Sequence, residues 1–145
     1  MALSKISEIG GVIQGNWDEE YIITGICGAG SQKAGWAVSL TAAGVTAPTD
    51  NGVNEDFIGL LLPHYTIDMD TLITANLIVD VVVPKSGHLY GVFTGDLGAS
   101  HPGIAMLFCA NAGLFDIQAA IEGEHICRSH TYTSGDTVAV VIWGR

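Results

Sequence analysis

Gly35-Trp36-Ala37-Val38-Ser39-Leu40-Thr41, followed by Ala42-Ala43-Gly44 and Val45-Thr46-Ala47, is the stretch that decides the fold class. Trp36, Val38 and Leu40 alternate with Ala37, Ser39 and Thr41, which is the period of two that a half-buried strand requires. Ala42-Ala43-Gly44 reads as a hairpin turn, and Val45–Ala47 as its short return strand.

The same pattern of short apolar run and glycine-bearing break continues in both directions. Candidate strands are Tyr21–Cys27, Phe57–Leu62, Leu77–Val83, His88–Thr94, Gly103–Ala110, Leu114–Ile121, Glu124–His130 and Thr137–Trp143. They are rich in Val, Ile, Leu and Tyr, which suit a pleated surface. Nineteen glycines in 145 residues is nearly twice the usual share of ~7%, and these glycines supply the turns. Leu77–Val83 is almost wholly apolar, which predicts burial on both faces, and His88–Thr94 follows as its expected hairpin partner across Ser86-Gly87. No run of ten or more residues has helical periodicity. Thr66–Ala75 reads as a loop with room for one helical turn, and Gln118–Glu122 has room for another. The expected fold is therefore all-β: a small β-barrel or β-tulip-like sandwich with at most one or two short helices. Residues 1–20 are set apart as an N-terminal arm, and residues 21–145 form one β domain. A chain of this length buries roughly 70% of its unfolded surface and needs no staples.

Charge narrows the function. Five Lys and Arg face fifteen Asp and Glu, a formal charge of −10. That argues against nucleic acid, whose phosphates need basic patches, and against anionic membranes. Charged residues make up 14% against a usual share of ~25%, so part of the surface is expected to meet partners. The odd cysteine count, Cys27, Cys109 and Cys127 with no C-x-x-C, predicts buried free thiols rather than disulfides. No apolar run approaches the ~20 residues of a membrane helix, and the first residues lack a signal-peptide core. The expectation is a soluble protein made in a reducing compartment.

Catalytic constellations are hard to assemble from this sequence. His125-Ile126-Cys127-Arg128-Ser129-His130 is the tightest cluster, but it has no zinc spacing and carries Arg128 inside it. His125 and Cys127 share one strand face, and His130 falls on the other. Asp68 with Asp70 and Glu122 with Glu124 read as solvated pairs, without the ligand series of a calcium loop. Cys27 and Ser31 lack an identified base, and Gly25, Gly28 and Gly30 are not followed by G-K-[S/T]. Asp80, in the middle of an apolar strand, is read as structural, either facing solvent or paired with Lys85, Arg128 or His88. Gly95–Gly103 reads as a connector. The expectation is no catalytic residue, no metal and no cofactor. In the arm, Leu3, Ile6 and Ile9 recur at spacing three, which fits a helix or a sticky arm; such an arm either packs on its own domain or adds a strand to a partner's sheet edge.

Gly35-Trp-Ala-Val-Ser-Leu-Thr, Gly44-Val-Thr-Ala and Asn54-Glu-Asp-Phe-Ile-Gly-Leu-Leu-Leu together resemble the core of phage capsid decoration (cement) proteins, in which a G-x-x-V-x-L strand precedes a short return and a FIGV-like strand. Val79–Val83 and Gly135–Val141 extend the resemblance loosely over residues 20–145. It implies a viral structural protein that homotrimerises on the outer capsid surface, binds the major capsid protein and stabilises the virion. The N-terminal arm, here Leu3, Ile6 and Ile9, would grip neighbouring subunits, after synthesis in the host cytoplasm. The alternatives are a cupin-like small-molecule-binding barrel, which the absent H-x-H disfavours, and a carbohydrate-binding adhesive module stacking sugars on Trp17, Trp36 or Trp143. Of these, Trp36 is expected in the core.

Overall fold

The computed structural model describes residues 11–29, 32–48, 58–68, 71–95, 103, 105–108, 113–117, 125–132, 135 and 137–144, the segment 105–108 by its backbone. They form ten strands: β1 (Tyr21–Ile26), β2 (Ala37–Thr41), β3 (Gly44–Thr46), β4 (Gly59–Leu61), β5 (Ile78–Val83), β6 (Leu89–Phe93), β7 (Ala105–Phe108), β8 (Phe115–Ile117), β9 (Cys127–Thr131) and β10 (Val138–Trp143). The sole helical element among them is a 3-10 turn, Trp17–Glu19, started by Asn16, whose side chain accepts from the Asp18 N–H at 3.1 Å. Every expected strand has a counterpart among the described residues, with β3 starting one residue early at Gly44 and β9 running one residue past His130 to Thr131. Residues 66–68 and 71–75 are loop, while Gln118–Glu122 and the connector 96–102 lie outside the described residues.

The strands form two five-stranded antiparallel sheets, ordered β1-β5-β4-β2-β3 and β6-β10-β9-β7-β8. The arrangement is sandwich-like rather than a closed barrel. One core lies between the sheets, where Ala37, Leu60 and Val82 of the first meet Tyr90, Val92, Phe115 and Val141 of the second. A second core lies on the other side of the first sheet. There Val38, Leu61, Val79 and Val81 are covered by loop residues Ile58, Ile67 and Ile73. These two cores explain why β2 starts with Ala37, Val38 and Ser39 all buried. The alternation expected there is broken because both faces are covered, and Leu40, beyond that cover, is exposed.

Two expectations are corrected. β5 is not buried on both faces along its length: Ile78 and Asp80 face solvent, while Val79, Val81 and Val82 are buried. Nor is β6 the hairpin partner of β5. β5 pairs with β1 and β4, β6 pairs with β10, and Pro84–Gly87 carries the chain from one sheet to the other. A valine run records burial of side chains, not which strand lies beside it.

The two sheets repeat one chain path. The order of the second is that of the first with each strand replaced by the one five places later. The registers agree residue by residue. Ile22 opposite Val82 corresponds to Leu89 opposite Ile142, and Ile26 opposite Ile78 to Phe93 opposite Val138. Leu60 opposite Val82 corresponds to Arg128 opposite Ile142. Val38 opposite Gly59 corresponds to Met106 opposite Cys127, and Leu40 opposite Val45 to Phe108 opposite Phe115. Each sheet also curls until its first strand touches its last through one parallel bridge, Cys27 with Val45 and Thr94 with Phe115. The bond from Gly28 N–H to Val45 O, 2.9 Å, recurs from Gly95 N–H to Phe115 O, 3.2 Å. Gly35 and Gly103 correspond as well: both have φ of +86°, and their N–H groups donate to Leu61 O and Ser129 O. That left-handed conformation is nearly free only for glycine.

Candidate functional site

The first sheet presents an apolar patch to solvent. Ile26 and Ile78 stand directly opposite each other on β1 and β5, 55% and 68% exposed. Beside them Thr24 Oγ1 donates to Asp80 Oδ1 at 2.8 Å, again a directly opposed pair. Asp80 therefore faces solvent and is held by a hydroxyl rather than by a base. Such aliphatic pairs on a strand usually sit under another layer, because each buried Ile stabilises by roughly 1.5–3 kcal/mol.

A groove of about 580 Å³ borders the patch, between the loop that leaves β4 and the segment that enters β5. Its walls include Pro63, His64, Tyr65, Asn76, Ile78 and Asp80. Tyr65 is 94% exposed and stacks on His64, with ring centroids 4.7 Å apart. His64 Nδ1 accepts from the Thr66 N–H at 3.2 Å, which fixes the ring that Tyr65 rests on. An aromatic ring held in the open at low entropy cost is a ready contact for a macromolecular surface.

A second cluster is polar and closed. The Glu20 side chain is 3% exposed, and its carboxylate accepts from His88 Nδ1 and from the Tyr90 hydroxyl, both at 2.6 Å. Tyr90 in turn accepts from the Lys85 N–H at 2.8 Å, and Lys85 Nζ donates to the Glu19 carbonyl. Burial, together with the neighbouring Glu20, pushes the Tyr90 phenol well above its ordinary range, so it stays a donor. The cluster clamps the Trp17–Glu19 turn onto the crossover between the sheets. Its hydrogen bonds are all internal, which makes it a structural latch.

The residues singled out from the sequence are scattered. Cys27 and Cys127 are buried thiols outside any disulfide, and burial raises both above their ordinary value. Cys109, Asp70, Glu122 and Glu124 lie outside the described residues, as do Leu3, Ile6 and Ile9. His125 and Cys127 are buried together while His130 is exposed, and Asp68 is exposed in its loop. Among the described residues no three of His, Cys, Asp and Glu converge to hold a metal ion. Trp36 packs against the core between the sheets, and Trp143 meets Tyr90 and Phe115 edge-on at 6.1 Å each. Of the three tryptophans, Trp17 alone is largely exposed, at 46%. Ile26 was not legible as a surface residue because it sits in an apolar strand that reads as core, and Tyr65, between Pro63 and the loop 66–75, carries no local signal of its exposure. No protein-family model matches this chain, and no curated protein matches it.

Proposed function

We propose that the protein is a non-enzymatic virion component, a capsid decoration protein that binds the outer surface of an icosahedral shell and stabilises it. The observation that carries this reading is the exposed Ile26–Ile78 pair with Tyr65 standing beside it on the first sheet. Strand-borne aliphatic side chains and a stacked aromatic form a rigid, shallow contact, which suits docking on a protein lattice. The resemblance of Gly35–Thr41 and Phe57–Leu62 to decoration proteins supports the same partner, the major capsid protein. Three copies acting as one trimer would engage three sites and gain avidity without a large interface per copy. The net charge of −10 keeps the free protein soluble until it finds the lattice. Co-sedimentation with undecorated shells tests this. The wild type should pellet with the shells, and Ile78→Glu should stay in the supernatant. Wild-type protein that remains in the supernatant would sink the proposal.

A further inference from the structure

The repeated chain path exposes a difference between the two halves. In the second half, the end of β6 is closed by β8, and its beginning is covered by the N-terminal segment. Ile13 bridges Tyr90 antiparallel, the Gly91 N–H donates to Val12 O, and the Gln14 N–H donates to Leu89 O. Val12 and Ile13 are thereby 0% and 2% exposed. In the first half, the end of β1 is closed by β3 in the same way. The beginning of β1, at Ile22, Ile23 and Thr24, corresponds to Leu89, Tyr90 and Gly91, and among the described residues nothing covers it.

Backbone geometry shows which groups of β1 have no partner among the described residues. The Cys27 N–H donates to Leu77 O on the β5 side, and the Gly28 N–H donates to Val45 O on the other side. Direction alternates along a strand, so the N–H and C=O of Ile22 and Thr24 point away from β5, into the open side. Burial agrees: Thr24 is exposed where its counterpart Gly91 is buried, and Ile23 is half-buried where Tyr90 is 0% exposed. Open edges are normally guarded by Lys, Pro or a bulge. Tyr21-Ile22-Ile23-Thr24 has no charge and no proline, and its ladder to β5 has no register shift.

We propose that the outer side of β1 at Ile22–Thr24 is a strand-addition site, and that its occupant is residues 3–9 of a second copy of this chain. The kind of segment that fits is shown on the corresponding edge of β6, which takes residues 12–14, the direct continuation of that arm. The arm leaves the described structure at Gly11, where an added Cβ would sit 3.9 Å from the Pro63 ring, at the rim of the groove. Ten residues in extended form reach about 33 Å, enough to lie along a neighbour's edge. Lys5, one of five basic residues in the chain, would meet Asp18 and Glu19, the exposed acidic pair that leads toward β1. Each copy offers one arm and, among the described residues, this stretch of open edge, so the contact is head-to-tail and closes into a ring when the rotation between copies is a three-fold one.

The experiment is amide exchange at positions 22 and 24 on the full chain, on a variant lacking residues 1–10, and on Thr24→Pro, each with its solution mass. Proline there deletes an outward N–H and leaves the β5 ladder intact, as edge positions tolerate. Thr24→Val is the control, losing the Asp80 bond but keeping the N–H. The full chain and Thr24→Val should be oligomeric, with the amide at position 24 in each exchanging at least ~10-fold more slowly than in the deleted protein. Thr24→Pro and the deletion should shift toward monomer. A monomeric full chain, or an oligomer indifferent to both changes, would overturn the proposal. Shell binding is read separately, so failure of one does not disguise failure of the other.

Discussion

Replacing Tyr90 by Phe removes one oxygen and leaves the ring in place. The edge-on contact with Trp143, 6.1 Å between centroids at 89°, is kept, as is the apolar burial of a side chain that is 0% exposed. Two hydrogen bonds are lost. The Tyr90 hydroxyl no longer donates to Glu20 at 2.6 Å, and the Lys85 N–H loses its acceptor at 2.8 Å. A bond to a buried carboxylate contributes about 1.5–3 kcal/mol, and an orphaned N–H near the surface adds a little to the loss. The Glu20 side chain, 3% exposed, retains His88 alone as partner, so its charge is under-compensated. We expect a loss of about 2 kcal/mol. With a urea m-value of about 2 kcal/mol/M, the midpoint should fall by about 1 M at unchanged m. The thermal midpoint should fall by about 6 °C. In a double-mutant cycle with Glu20→Gln, the coupling should be about 1–2 kcal/mol. A Tyr90→Phe midpoint within ~0.2 M of wild type would refute the idea that this latch holds the N-terminal segment to the crossover.

Other expectations follow from single sites. Gly59→Ala places a Cβ 2.2 Å from Val82 O and 2.6 Å from a Val81 methyl, so we expect a loss of about 3 kcal/mol by urea titration. Gly35→Ala and Gly103→Ala should each cost about 1 kcal/mol, because the repeated turn needs φ of +86° at both. Cys127, pushed up from 9.0 by complete burial, stays a thiol in the fold while the unfolded thiol ionises. Its contribution is thus full below about pH 9 and is lost as pH rises toward the folded value, at about 1.4 kcal/mol per pH unit. Cys127→Ala should flatten that alkaline slope, as read from denaturation midpoints between pH 8 and 10. Ile78→Glu, on a 68% exposed side chain, should leave stability within about 0.5 kcal/mol while abolishing shell binding.

The strands were legible in the sequence because their signals are local. Alternation at Gly35–Thr41 and glycine or proline at each break mark where a strand begins and stops. Pairing was not legible, because it is decided by residues far apart. Glu20 meets His88 and Tyr90 across 68 and 70 residues, and no pattern around any of the three announces the others. The repeated path was hidden for a related reason. At corresponding strand positions, identity survives in few places, such as Gly35 with Gly103, Ala37 with Ala105 and Ile58 with Ile126. Backbone register constrains a turn glycine tightly and a strand side chain loosely, so Leu60 can correspond to Arg128 when one faces a core and the other faces water. The exposed patch was misjudged in the same way: an isoleucine reads as core until its neighbours are known.

The reading of this protein as a building block stands or falls on whether copies associate. Its solution mass, by sedimentation or light scattering of the full chain at micromolar concentration, tests that most directly. We predict a single species at three times 15.1 kDa, closed by arm and edge. A stable monomer at that concentration would contradict both the trimeric decoration reading and the strand-addition site on β1.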